Sequence, residues 1–203
     1  MIIIPTEEQK IRANDGRVMG WIIDNFITKE VCQELIQLGK PKLKPSTTLA
    51  PVVEDYRTSS SAFLYYNRGH AVVDQVANLI TKQIQMPLKN CEGMQLVHYM
   101  PGQYYKPHHD YFHPNTDYWE KEMARGGQRV WTAFLYLNDV QEGGATYFPH
   151  IDLEVKPKTG RVVFWRNMFY GGKLVTDSYH EAKPPIKSEK WGANLWVREK
   201  TFV

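Results

Sequence analysis

Seven histidines are spread along the chain: His70, His98, His108, His109, His113, His150 and His180. Most histidines are surface residues or satisfied core residues, so spacing must single out those able to do chemistry. Strand side chains alternate with period two, so His-x-Asp on a strand puts an imidazole and a carboxylate on one face. One such pair and a distant histidine form a two-histidine, one-carboxylate set, which suits a non-haem ferrous ion with open positions. A closed set of thiolates and imidazoles would instead suit structural zinc. Two His-x-Asp pairs occur, His108-His109-Asp110 and His150-Ile151-Asp152. A rolled sheet brings the third ligand from a strand near its opposite end, so several strands must intervene. Asp110 to His180 spans 70 positions, enough for them, whereas Asp152 to His180 spans only 28. His108, Asp110 and His180 are therefore the expected metal ligands. His150 and Asp152, next to Pro149 and the Gly143-Gly144 turn, are expected as loop polars. His109 should face away as packing, and His113 and His70 default to the surface.

An open iron site takes a bidentate co-substrate, and a distal carboxylate on that molecule needs a cation. Lys190, just before the strand-like Trp191 to Glu199, is the candidate. Tyr99 and Thr132 lie on neighbouring candidate strands and could add hydroxyl donors to the same carboxylate. Trp131, Phe134, Phe164 and Trp165 are either part of a dry wall around the site or ordinary barrel core.

These residues must be held by a suitable scaffold. Thr28 can cap a helix with Ile27, Val31, Leu35 and Leu38 on one face and a stop at Gly39 and Pro41. Val72, Val73, Val76, Ile80 and Ile84 predict a second helix that starts near Asn67 to His70 and ends at Pro87. Between them, Lys40 to Ser61 is rich in Pro, Thr and Ser and predicts a flap or lid. From Met94 onward the text is β. The strands expected are Met94 to Met100, Tyr104 to Tyr111, Arg129 to Leu137, Ala145 to Phe148, Leu153 to Val155, Arg161 to Arg166, Ser178 to Ala182 and Trp191 to Glu199. Turn pairs such as Pro101-Gly102, Asn138-Asp139 and Gly143-Gly144 separate them. The expected fold is mostly β, a jelly roll or double-stranded β-helix over 91–203, buttressed by helices and the lid segment from 1–90, in a single domain.

Composition limits the function classes. The 203 residues are 42% hydrophobic and 23% charged, the balance of a folded domain. A net charge of +3 gives no reason to expect nucleic acid. Apolar runs fall well short of the roughly 18 residues a membrane span needs. Met1-Ile2-Ile3-Ile4 is cut off by Pro5 and Glu7-Glu8 and lacks a basic n-region, so a cytoplasmic protein without a secretory signal is expected. Cys32 and Cys91 read as small core residues in a reducing compartment.

The stretch Tyr99-Met100-Pro101-Gly102-Gln103-Tyr104-Tyr105-Lys106-Pro107-His108-His109-Asp110 resembles the metal-binding signature of prolyl 4-hydroxylases. Further matches are Gly126-Gly127-Gln128-Arg129-Val130, Tyr136 to Val140 leading into Glu142 to Thr146, Gly160 to Trp165, His180 and Lys190-Trp191. Arg57-Thr58-Ser59-Ser60 resembles that family's flexible strand-loop region. The resemblance implies an Fe(II)- and 2-oxoglutarate-dependent dioxygenase that uses O2 and ascorbate and hydroxylates peptidyl proline at C4, releasing succinate and CO2. It implies His108, Asp110 and His180 on iron, and Lys190 on the 5-carboxylate of 2-oxoglutarate with Tyr99 and Thr132. Tyr105, Arg129 and Trp196 would surround a proline of a peptide or protein substrate. Without a secretory signal, retention motif or separate helical peptide-binding domain, the chain is most similar to the small stand-alone enzymes of plants, algae, bacteria and viruses. Two other readings stay open. One is a dioxygenase for another amino acid or a small molecule. The other is a non-catalytic jelly-roll binding or assembly module, which accounts for the strands but not for His108, Asp110, His180 and Lys190 together.

Overall fold

The structure, a computed structural model, describes residues 8–47 and 56–203. The Met1 to Ile4 run and the middle of the expected lid, 48–55, lie outside the described residues. The chain opens with a hairpin. Asp15-Gly16 reverses it, with Gly16 in the left-handed region and its amide on Ala13 O at 2.9 Å, so β1 (Glu8–Arg12) pairs with β2 (Val18–Ile23). The Thr28 hydroxyl accepts the Val31 amide at 3.4 Å and starts α1 (Lys29–Gly39). After β3 (Lys44–Pro45) and β4 (Ser60–Leu64) comes α2 (Ala71–Ile84), closed by Gln85 in the left-handed conformation before Pro87. The remaining elements are β5 (Met94–Tyr99), β6 (Tyr105–His108), α3 (Trp119–Ala124), β7 (Arg129–Tyr136), β8 (Thr146–Phe148), β9 (Leu153–Val155), β10 (Val162–Arg166), β11 (His180–Ala182) and β12 (Lys190–Arg198).

Two antiparallel sheets result. The larger has eight strands in the order β1-β2-β10-β7-β12-β5-β4-β3, and the smaller has four in the order β6-β11-β8-β9. Period-two alternation sorts the side chains of the larger sheet between two cores. Ala133, Leu135, Ala193, Leu195 and Val197 face α1 and α2. Phe134, Tyr136, Val97, Tyr99, Val163 and Trp165 face the other way, where Phe148 and Val155 of the smaller sheet meet them. The two helices buttress one face, and the other face carries the site.

All eight strands expected after Met94 are present, and both helices are. The expected division of labour needs correction, because the first ninety residues also contribute β1, β2, β3 and β4 to the larger sheet. At β2, Gly20 permits the pairing with β10, since a Cβ there would lie 1.9 Å from Phe164 O. The pocket-wall expectation also divides. Phe134 and Trp165 face the interior between the sheets, whereas Trp131 and Phe164 fall on the alternate face, where Trp21 stacks on Trp131 at 5.3 Å. Among the described residues no helix is long and apolar enough to cross a membrane.

Candidate active site

Pairing of β6 with β11 sets His108 directly opposite His180, with ring centroids 4.4 Å apart. Asp110 follows just past β6 with its carboxylate between the two rings. Oδ1 lies 3.7 Å from His108 Nε2, and Oδ2 lies 3.8 Å from His180 Nε2. Among the described residues these three form the one set of His, Cys, Asp or Glu groups close enough to hold a metal, with their ligand atoms within 4.8 Å of one another. Each imidazole is oriented by the backbone two residues before it: His108 Nδ1 meets Lys106 O of β6 at 2.8 Å, and His180 Nδ1 meets Ser178 O of the turn before β11 at 2.8 Å. A ring that donates Nδ1–H to a carbonyl keeps the Nε2 lone pair for a metal. Burial, reinforced by the neighbouring His180 ring, pushes the His108 pKa down to about 3, so it stays neutral. Burial works to raise the Asp110 carboxyl, but His180, His108, Arg129 and the Thr132 hydroxyl outweigh it and hold the group ionised below its usual range. Two imidazoles, each with Nε2 turned toward the other ligands, and an ionised carboxylate make a donor set that fits ferrous iron.

Lys190 is fully buried, and its Nζ has no hydrogen-bond partner among the described residues. The rings of Tyr99, Phe134 and Tyr136 surround it at 5.2–5.5 Å, and burial lowers its pKa to about 7. A buried ammonium without an anion is costly unless a ligand supplies one. The cavity it faces is shared with His108, Asp110 and His180, so the group that fits carries a carboxylate at one end and metal-binding oxygens at the other. Tyr99 pairs directly across from Lys190.

Thr132 requires a correction. It pairs with Trp196, six residues along β12 from Lys190, a separation of about 20 Å at strand rise. Its hydroxyl instead donates to Asp110 Oδ2 at 2.7 Å and accepts from Asn167 Nδ2 at 2.9 Å. The threonine that does line the cavity with Lys190 is Thr146 of β8, whose hydroxyl lies 2.7 Å from the Tyr136 hydroxyl, itself 3.0 Å from Val155 O. The sequence reading missed Thr146 because it stands on the facing sheet, and strand register in one sheet carries no information about the other.

Tyr105, Arg129 and Trp196 meet around the mouth of the cavity, where a groove leads outward. Tyr105 stacks on His108 at 3.6 Å. Arg129 lies over the Trp196 ring at 4.0 Å and binds Glu92 through Nε at 2.6 Å and a terminal nitrogen at 2.8 Å. Fully buried Arg198 bonds the same Glu92 and also Glu122. Glu92 is a second residue the sequence reading did not single out; its charge is explained only once the two arginines are seen beside it. Trp196 Nε1 is buried without a partner among the described residues. The second His-x-Asp pair is split and lies outside the cavity: His150 bonds Thr176 O at 2.9 Å, and Asp152 accepts the Tyr147 hydroxyl at 2.9 Å. His109 faces away from the metal set, stacked on Tyr111 at 4.3 Å, and His113 is exposed.

The chain resembles several known proteins. The sequence profile of the 2OG-Fe(II) oxygenase superfamily matches residues 94–198. A prolyl 4-hydroxylase homologue from Acanthamoeba polyphaga mimivirus is 34% identical over 183 residues, covering 90% of this chain and 75% of its own. Prolyl 4-hydroxylase 1 of Arabidopsis thaliana is 34% identical over 207 residues, covering 90% of this chain and 71% of its own. Among solved structures, the viral collagen prolyl hydroxylase of Paramecium bursaria Chlorella virus-1, in its 2-oxoglutarate complex, superposes with a TM-score of 0.73 at 27% identity. The match covers 91% of this chain and 97% of that one.

Proposed function

Because the chain belongs to the 2OG-Fe(II) oxygenase superfamily and is a prolyl 4-hydroxylase-like dioxygenase on a double-stranded β-helix, we propose that it hydroxylates peptidyl proline at C4, with succinate and CO2 as co-products. The observation that carries the reading is the unpartnered Lys190 ammonium, buried in the same cavity as His108, Asp110 and His180. His108 Nε2, His180 Nε2 and one oxygen of Asp110 would hold the iron. Lys190, with the Tyr99 and Thr146 hydroxyls, would bind the 5-carboxylate of 2-oxoglutarate. Burial raises the Tyr99 phenol, so it remains an O–H donor at neutral pH. Held by His108, Asp110 and His180, ferrous iron would activate O2, the oxidant, at the expense of 2-oxoglutarate, which would lose CO2, so that one oxygen atom enters a C–H bond and the other succinate. Ascorbate enters the scheme as reductant.

The protein's share is positioning and exclusion of water. Tyr105 and Trp196 offer apolar walls to a pyrrolidine ring. Arg129, fixed by Glu92 and donating through Nη1 to the Asp110 carbonyl at 3.4 Å, would offer a spare N–H of its guanidinium to a peptide carbonyl. Incubating proline-rich peptides with the protein, Fe(II), 2-oxoglutarate and ascorbate should add one oxygen atom to proline by mass spectrometry. Turnover of 2-oxoglutarate with no proline-containing product would dismiss the peptide assignment. Arg129→Gln should cut peptide hydroxylation by about tenfold or more, the worth of a charge-assisted hydrogen bond, while peptide-independent decay of 2-oxoglutarate persists. Glu92 keeps Arg198 as its ion-pair partner in that variant, so a matching loss of both activities would place Arg129 in the fold or the iron centre instead.

Thr132 acts in this scheme by orienting Asp110. Its bond to Oδ2 leaves Oδ1 as the better-placed metal ligand. Thr132→Val should weaken Mn(II) or Co(II) binding to the apo-protein by roughly tenfold or more, the usual cost of removing an orienting partner, and Thr132→Ser should restore it. Equal affinity in the two variants would leave Thr132 with a packing role only.

A further inference from the structure

Two large aromatic side chains on the site-bearing face of the larger sheet are left open. Phe63 is 43% exposed and Tyr65 is 54% exposed, with their rings stacked at 6.2 Å and an interplanar angle of 20°. Strand parity gives the direction. On β5, Gln95 and Tyr99 share the face that carries the cavity, and Phe63 pairs with Gln95. Continuing that register puts Tyr65 beside Gly93, and there the ring lies down over the backbone. A Cβ on Gly93 would come within 2.7 Å of the Tyr65 ring, so a bare residue is what seats it. Gly93 follows Glu92, whose amide bonds Trp196 O at 3.0 Å. One row across the sheet therefore runs from Trp196 on β12, past Gly93, to Tyr65 beyond β4. Between its ends lies a polar floor, with Arg57 bonded to Gln95 at 3.2 Å and Glu92 bonded to Arg129. Phe63, Tyr65, Arg129, Tyr105 and Trp196 all line the same groove.

We propose that the Phe63–Tyr65 pair is a remote subsite of the peptide groove, binding a second proline in the flank of a proline-rich substrate held in an extended polyproline conformation. This rests on the peptide assignment above and adds to it a preferred length and composition. A polyproline helix has a solvated backbone without internal hydrogen bonds, so it needs both aromatic ridges for its rings and polar groups for its carbonyls. The groove provides both. Its span also fits: two interstrand spacings separate Trp196 from Tyr65, about 10 Å, and a polyproline chain covers that in about three residues at about 3.1 Å each. A proline at the cavity mouth and another roughly three residues away would occupy both stations of one rigid strand, which loses little entropy on binding.

The test compares a proline-rich tripeptide with a proline-rich nonapeptide carrying the same central target, with KM read from hydroxyproline formed. For the wild type, lengthening the peptide should lower KM by about tenfold, the effect of one good aromatic anchor. In the Phe63→Ser/Tyr65→Ser double variant that gain should shrink below about twofold, and Tyr65→Phe, which keeps the ring, should retain it. Fluorescence anisotropy of labelled nonapeptide should show the same ranking without turnover. A wild-type protein indifferent to length, or a double variant that keeps the full gain, overturns the subsite. So does a change of oligomeric state on substitution, measured by sedimentation, because it assigns the aromatic pair to a contact between copies. If neither peptide is hydroxylated while 2-oxoglutarate is consumed, it is the peptide assignment that fails, and the proposed occupant falls with it.

Discussion

Asp110→Ala protein will consume no 2-oxoglutarate above background when supplied with Fe(II), and it will do so without losing its fold. Removing Asp110 removes the charged member of a three-ligand set and leaves two imidazoles, a poor hold on a divalent ion against competition from water. The fold survives because Asp110 lies just past β6 and outside both hydrophobic cores, so its loss removes polar contacts and leaves the packing of the sheets in place. Burial opposes its ionised form, but His180, His108, Arg129 and the Thr132 hydroxyl outweigh that cost, so the carboxylate adds a little to metal-free stability at neutral pH. Thr132 loses an acceptor but keeps Asn167. The metal-free variant should therefore melt cooperatively, somewhat below the wild type, while the rise in Tm that Mn(II) gives the wild type should vanish. His180→Ala should behave alike in turnover. Retained succinate production in either variant would remove the metal assignment from these residues.

The second large effect belongs to Lys190. Truncating one member of a buried, desolvated charge pair costs about 2 kcal/mol or more, so Lys190→Ala should raise the 2-oxoglutarate requirement by roughly thirtyfold at least. The wild type should also show a pH dependence that the variant lacks. In the free protein burial lowers the lysine pKa to about 7. Below that value the ammonium is already formed and meets the co-substrate carboxylate directly. Above it, a proton must be taken up on binding, and affinity should fall by up to about tenfold per pH unit. Ligand-free stability runs the other way. Between about pH 7 and the ordinary lysine value the unfolded chain holds a proton that the folded one has shed, so stability rises with pH across that window. Titrations of 2-oxoglutarate at pH 6.5 and 8.5 distinguish the cases. Equal affinity at both, in wild type and Lys190→Ala alike, would make Lys190 a structural residue.

Much of this site could be read before the structure because its spacing follows strand geometry. His108 and Asp110 sit two residues apart, and the distance to His180 fits the strands that β6 and β11 bracket. Lys190 was legible as the cation before a strand of the same sheet. Thr132 was misplaced because hydroxyl-bearing residues on adjacent strands can share a level or lie many residues apart, and only register decides. Thr146 and Glu92 were out of reach for a related reason. One faces the site from the opposite sheet, and the other gains meaning only from Arg129 and Arg198, distant in sequence. The β1–β2 hairpin, by contrast, carried a readable signal. Asp15-Gly16 before Val18 to Ile23 is turn chemistry ahead of an apolar run, and the stronger helical patterns that follow drew attention from it.

Both histidines bond a carbonyl two residues earlier in the chain, Lys106 in β6 for His108 and Ser178 in the turn before β11 for His180. Their aim is thus written into short local stretches of backbone. The outer end of the groove is furnished by different material, Phe63, Tyr65 and the start of β5, while Tyr105 and Trp196 line groove and cavity alike. Mutations can accordingly redesign what docks outside while the iron-gripping hardware stays in tune, so diversification of targets within this lineage demands no reinvention of its oxidative chemistry.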